Sequence, residues 1–140
     1  MARVHASREL LAPRDEVWNV ISEPYRIRDW WPGISGLQPD RRGFAPGARW
    51  QLVGDNQPRW LRRPNMTGML VVLAIDVPER FAFLLTGDRL QVELRLEDAG
   101  ARTLATLSVE APPLVGLRRT LPERALGRLY ALCQTGADFP

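Results

Sequence analysis

The chain contains no lysine; all nineteen of its cationic side chains are arginine. That absence excludes Schiff-base aldolase and pyridoxal-phosphate chemistry, which anchor their intermediates on a lysine amine. Codon usage in a G- and C-rich genome accounts for an all-arginine set, so the arginines are not read as selected for phosphate. Histidine and cysteine are equally scarce, with His5 and Cys133 the single examples. One of each cannot assemble a zinc site of the usual kinds, so no metal is expected. A lone cysteine cannot form an internal disulfide, and nothing points to an oxidising compartment. No charged-then-apolar leader opens the chain, and no apolar run approaches the roughly 18 residues of a membrane span. The expectation is a cytoplasmic protein with no stable membrane insertion. No Gly-x-Gly-x-x-Gly, Walker-type loop or nucleophile elbow occurs either. Little room remains for metal, nucleotide or covalent catalysis, and no cofactor is implied.

What the chain does have is an ordinary globular balance: 140 residues, 45% hydrophobic, 25% charged, with a formal net charge of +3. One domain over residues 1–140 is expected, burying roughly two thirds of its unfolded surface. The arginines are scattered, with small clusters at Arg41–Arg42, Arg62–Arg63 and Arg118–Arg119, and acidic residues lie between them. A nucleic-acid interface needs a concentrated basic stripe or interleaved stacking aromatics, so no nucleic-acid partner is expected.

Periodicity organises the chain into short strands and three helical stretches. Arg3–Leu11 alternates, with Val4, Ala6 and Leu10 on one face and His5, Ser7 and Glu9 on the other. Arg8 falls on the apolar face, where a cation needs a partner, water or an anionic ligand; a register error is the simpler reading. Pro13 suits a helix start, Asp15 and Glu16 favour its positive end, and Val17, Val20 and Ile21 recur at helical spacing. Pro24 ends that helix and opens a second short one through about Asp29. Strands are then predicted at Ala48–Val53, Thr67–Val77, Phe81–Thr86, Leu90–Glu97 and Arg102–Glu110. In the second of these, Thr67, Met69, Val71, Leu73, Ile75 and Val77 share one face. Short turns such as Asp98-Ala99-Gly100 imply an antiparallel meander. The last element is helical, with Leu121, Ala125, Leu129, Leu132 and Cys133 on one side and Gly136 placed to end it. Thr120-Leu121-Pro122-Glu123 fits a capping box. The reading favoured here nevertheless begins the helix near Leu114 and kinks it at Pro122.

Ala12-Pro13-Arg14-Asp15-Glu16-Val17-Trp18, followed by Trp30-Trp31-Pro32-Gly33-Ile34, resembles the START-like superfamily, also called SRPBCC. That superfamily includes polyketide cyclase/dehydrase and lipid-transfer proteins and the major birch-pollen allergen. The resemblance implies an α+β helix-grip fold: an antiparallel sheet of about six or seven strands wrapped around a long C-terminal helix, with a short helix pair after the first strand. It also implies a cavity between sheet and helix that holds a hydrophobic small molecule.

The candidate ligand contacts follow from placing this sequence on that plan. Met69, Val71, Leu73, Phe83, Leu94 and Leu107 would line an apolar interior, and a filled core would use the same residues. Five tryptophans supply large apolar area with one polar handle each. Trp18 is read as packing. Trp30 and Trp31 are adjacent and expected to face different ways, one anchoring the short helix and Trp31 lining the cavity mouth. Trp50 joins the candidates from mid-strand. Trp60, among Arg59, Arg62 and Arg63 in the irregular stretch Gly54–Met66, is a lid residue or stacks on an arginine. Arg8 is the polar candidate, while Cys133 on an apolar helix face is read as a buried inert thiol.

Three functions remain open. The first is binding or transport of a lipid or polyketide-like molecule. The second is a cofactor-independent cyclase or dehydratase, for which Arg8, Asp76, Glu110 or a tyrosine would have to supply the base and oxyanion donor. No catalytic arrangement of these residues is recognisable. The third is a co-chaperone-like interaction module, with a packed interior and an exposed apolar patch.

Overall fold

The computed structural model describes residues 2–53, 68–87, 89–112 and 119–137. Along the chain they form β1 (Ala2–Leu10), α1 (Arg14–Ile21), a single 3-10 turn (Pro24–Arg26), α2 (Ile27–Trp30), β2 (Gly36–Gln38), β3 (Arg49–Val53), β4 (Met69–Asp76), β5 (Arg80–Leu85), β6 (Leu90–Ala99), β7 (Arg102–Ala111) and α3 (Leu121–Ala137). The seven strands make one antiparallel sheet in the order β1-β7-β6-β5-β4-β3-β2. First and last strands are therefore neighbours, in register from Ala2 opposite Ala111 to Leu10 opposite Thr103. With the helix pair after β1 and a C-terminal helix, this is the α+β helix-grip arrangement. β2, only three residues long, was not anticipated from the sequence.

Local chemistry explains the joints. Pro13 precedes α1 in an extended conformation, and its carbonyl accepts the Glu16 and Val17 N–H groups at 3.0 and 3.1 Å. The β6–β7 hairpin closes with Ala99 opposite Arg102, leaving Gly100 and Ala101 as the loop. Gly100 takes a φ of +77°, which suits a residue without a Cβ, and its N–H donates to Asp98 Oδ1 at 3.0 Å. Thr103, buried at the start of β7, donates from Oγ1 to the Ala12 carbonyl at 2.8 Å and ties the β1–α1 connection to the sheet.

One face of the sheet carries the core as apolar rows running across the strands. Val4, Val109, Val92, Phe83 and Val72 form one row; Ala6, Leu107, Leu94, Phe81 and Ile75 form the next. Pro122, Ala125, Leu126, Leu129 and Cys133 are buried along α3 at the spacing of a single helical stripe. The helix lies over β1 and β7 and meets α1 and α2.

The C-terminal helix differs from expectation at both ends. It begins at Leu121, after a turn at Arg119–Thr120, and the Arg124 N–H bonds the Thr120 carbonyl at 2.9 Å. Pro122 thus occupies the first turn, where its missing N–H has no intrahelical partner to lose, and no kink is required. The expected earlier portion, 114–118, lies outside the described residues. At the other end the helix passes Gly136 and reaches Ala137.

Candidate functional site

The helix-facing side of the sheet divides into two parts. Its β1–β7 part is aliphatic and covered by α3. Its β3–β5 part is lined by rings drawn from four segments: Trp50 of β3, Phe81 and Phe83 of β5, Trp30 and Trp31 at the end of α2, and Phe44 from the turn before β3. Phe44 lies 4.8 Å from Phe81 and 6.2 Å from Trp50, and Trp18 meets it edge-on at 5.9 Å. Phe81 and Phe83 are 5.0 Å apart. Trp30 and Trp31 stand perpendicular at 6.2 Å, and both present T-shaped contacts to Phe83, at 6.3 and 5.6 Å. Offset and edge-to-face geometries of this kind are the favourable ones for aromatic pairs.

The turn that carries Phe44 is held by a carboxylate. Asp40 accepts the Arg42 N–H on Oδ1 and the Arg49 N–H on Oδ2, each at 3.0 Å. The Arg49 bond, helped by further N–H groups from Arg42 and Gly43, holds the Asp40 carboxyl below its ordinary pKa despite some desolvation. The clamped turn aims the Gly43 carbonyl inward, where it accepts the Trp50 Nε1–H at 2.7 Å. Trp50 is fully buried with its polar handle satisfied. Trp30 is 1% exposed, and its Nε1 finds no acceptor among the described residues.

The residues singled out from the sequence sort clearly. Phe83, Leu94, Leu107 and Trp50 are all fully buried on the helix-facing side of the sheet. Trp31 is there too, at 2% exposure, in the same cluster as Trp30 and not apart from it at a mouth. The two rings stand perpendicular to one another and converge on Phe83 from the end of α2. Met69 and Val71 require a correction. They sit opposite the exposed Gln51 and Arg49, while Leu70 and Val72, opposite Trp50 and Phe83, turn toward the helix. Every residue of Met69–Ile75 is apolar, so parity was not readable. An irregularity between Val72 and Ala74 then returns Ile75 to the inner face and leaves Leu73 exposed. Trp60 lies outside the described residues, as does all of Gly54–Met66.

Arg8 does belong to the helix-facing side, paired with the buried Ala105, so its position is no register error. It is exposed at the rim, with its guanidinium carbon 4.1 Å above the ring of the half-buried Tyr130 on α3. A separate open cleft of about 460 Å3 lies between the start of α1, the β4–β5 turn and the end of β6. It is lined by Arg14, Asp76, Glu79, Arg80 and Arg95, among others, and its charges are largely matched internally. Arg80 bonds Asp76 at 2.9 Å and Glu93 at 3.3 Å, Arg95 also bonds Glu93, and Arg14 approaches Glu79 at 3.7 Å. Burial would raise the Glu93 carboxyl, but Arg95 and Arg80 outweigh it and hold its pKa below the ordinary value.

Cys133 is buried, and desolvation, with the Glu16 charge adding to it, pushes its pKa up to about 11. Such a thiol is a poor nucleophile. No group of three or more His, Cys, Asp or Glu among the described residues is placed to hold a metal ion, and none of their helices is long and apolar enough to cross a membrane.

A family model described as polyketide cyclase/dehydrase and lipid transport matches residues 1–133. The chain belongs to that family. Solved structures agree on the START-like fold. CalU16 from Micromonospora echinospora is 25% identical, with a TM-score of 0.58 over 96% of this chain and 74% of its own. DynU16, described as a putative protein in the dynemicin biosynthetic locus, is 20% identical with a TM-score of 0.64; this chain spans 48% of it. A protein from Thermobifida fusca is 15% identical with a TM-score of 0.72, and the two cover 96% and 95% of each other. No curated protein matches the sequence significantly. In this polyketide cyclase/dehydrase and lipid transport family member, sequence reasoning passed over Phe44 and left Trp30 as an anchor of the short helix, not a member of the ring cluster. Neither carries a local signal, because their roles depend on which segments meet.

Proposed function

We propose that the chain binds a hydrophobic small molecule, a lipid or polyketide-like compound, between the ring-lined half of the sheet and the C-terminal helix. The observation that carries this reading is the division of one apolar, helix-facing side of the sheet between α3 and a set of rings contributed by α2, β3, β5 and the Phe44 turn. Family membership supports it. Trp31, Trp50, Phe83, Leu94 and Leu107 are the proposed lining, with Arg8 at the rim. Ligand sites of this kind are mainly apolar with few placed polar groups.

Native mass spectrometry of the purified protein, followed by solvent extraction, tests the reading. The expected result is a stoichiometric hydrophobic molecule, or saturable binding from a panel of lipids and aromatic polyketides that Phe83→Ala weakens at least tenfold. An empty protein that ignores the whole panel overturns it.

The Arg8–Tyr130 pair favours a second reading, a cyclase or dehydratase of the family's other type. A phenol beside a guanidinium offers a proton donor and a charge for a developing oxyanion. Turnover of a poly-β-ketone, with a pH–rate profile altered in Tyr130→Phe, would establish it.

A further inference from the structure

We propose that Trp30 Nε1 is the hydrogen-bond donor that anchors the ligand, and that the ligand therefore carries a buried oxygen acceptor, a carbonyl or phenolic oxygen, on an apolar ring framework. This rests on the ligand-binding reading and narrows it from hydrophobic molecules in general to oxygenated polycyclic ones.

Two buried indoles in the same cluster make the case. Trp50 is fully buried, and the fold supplies it with the Gly43 carbonyl at 2.7 Å. Trp30 is as deeply buried, yet its N–H has no acceptor among the described residues. A buried donor without an acceptor is costly, and the great majority of such groups in folded proteins are satisfied. The ring is not free to turn in search of a partner. It is held edge-on by Trp31 at 6.2 Å and by Phe83 at 6.3 Å, and α2 is pressed against α3. The unsatisfied donor is thus fixed at the junction of the ring-lined half and the helix, where the ligand is proposed to lie. An aliphatic chain offers it nothing, whereas a ring carbonyl both stacks against Phe83 or Trp31 and accepts the N–H.

Xanthone and xanthene test this directly, since they share a three-ring shape and differ in one carbonyl. Wild type should bind xanthone roughly 5- to 15-fold more tightly than xanthene by isothermal titration, the range of a single buried hydrogen bond. In Trp30→Phe the ratio of the two affinities should fall to about one, whatever the change in affinity for xanthene itself. A second readout in the wild-type protein avoids dependence on the variant's folding. The indole resonance missing from the Trp30→Phe spectrum should move downfield with xanthone and stay with xanthene. Equal affinity for both probes in wild type, or a preference surviving in Trp30→Phe, overturns the donor assignment and leaves ligand binding standing. A persistent Overhauser contact from that indole proton to a bound water, in free and xanthone-loaded protein alike, also overturns it. Binding of neither probe, together with an empty extract, overturns the ligand reading and this assignment with it.

Discussion

The corner around Trp50 and the corner around Trp30 use the same building block to opposite effect. At the first, Asp40 clamps a turn, the turn aims a carbonyl, and the carbonyl satisfies the indole, so every polar group brought inward has a partner. At the second, a four-residue helix delivers two tryptophans edge-on to Phe83, and one indole N–H is left with no acceptor among the described residues. Both corners are equally apolar and equally buried. The difference is hydrogen-bond satisfaction: the first corner is complete without a ligand, while the second has a donor to offer one.

The largest perturbation should come where the two corners join. Phe83 touches Trp30, Trp31 and Phe81. Phe83→Ala should lower unfolding free energy in urea by about 3–5 kcal/mol through lost burial and the cavity left behind. A loss below about 1 kcal/mol would mean that the rings are not packed as described.

The sharpest comparison is the pair of conservative swaps. Trp50→Phe strands the Gly43 carbonyl and should cost about 1–3 kcal/mol. Trp30→Phe loses ring burial too but removes a donor that had no partner, so it should cost less than Trp50→Phe by about 1 kcal/mol or more. Equal costs for the two variants would erase the distinction between the corners.

Acid sensitivity separates them next. The Asp40 carboxyl has a lowered folded pKa, so its contribution is present above its unfolded pKa and is lost as pH falls through the folded value. Urea titrations between pH 6 and pH 2 should show a shallower acid limb in Asp40→Asn, with the Trp50 environment altered. Trp30→Phe should keep the wild-type slope. The smallest effect concerns α3. With a Cys133 pKa of about 11, the native thiol should react with a thiol reagent at pH 8 far more slowly than the urea-unfolded chain. Equal rates would place α3 off the sheet.

Much of this molecule is legible from pattern. Clean alternation in Leu90–Leu96 specifies one buried face of β6, and the turn chemistry at Gly100 specifies the hairpin. The Ala-Pro…Val-Trp and Trp-Pro-Gly-Ile segments carry the family resemblance, and Cys133 reads correctly as buried. Elsewhere local pattern was ambiguous or misleading. Met69–Ile75 is apolar throughout, so nothing in it says which residues turn inward. The Thr120–Glu123 signal and the expectation of a longer helix pointed to different starts, and the backbone begins α3 at the former.

The sequence alone determined the period of each element, the antiparallel meander and the apolar character of the interior, because each depends on residues near one another in the chain. Only the tertiary structure decided the face of Met69 and Val71, the joint burial of Trp30 and Trp31, and the partner of each indole N–H. Those depend on groups brought together from α2, β3, β5 and the Phe44 turn, and hydrogen-bond satisfaction is a property of that meeting, not of either residue by itself.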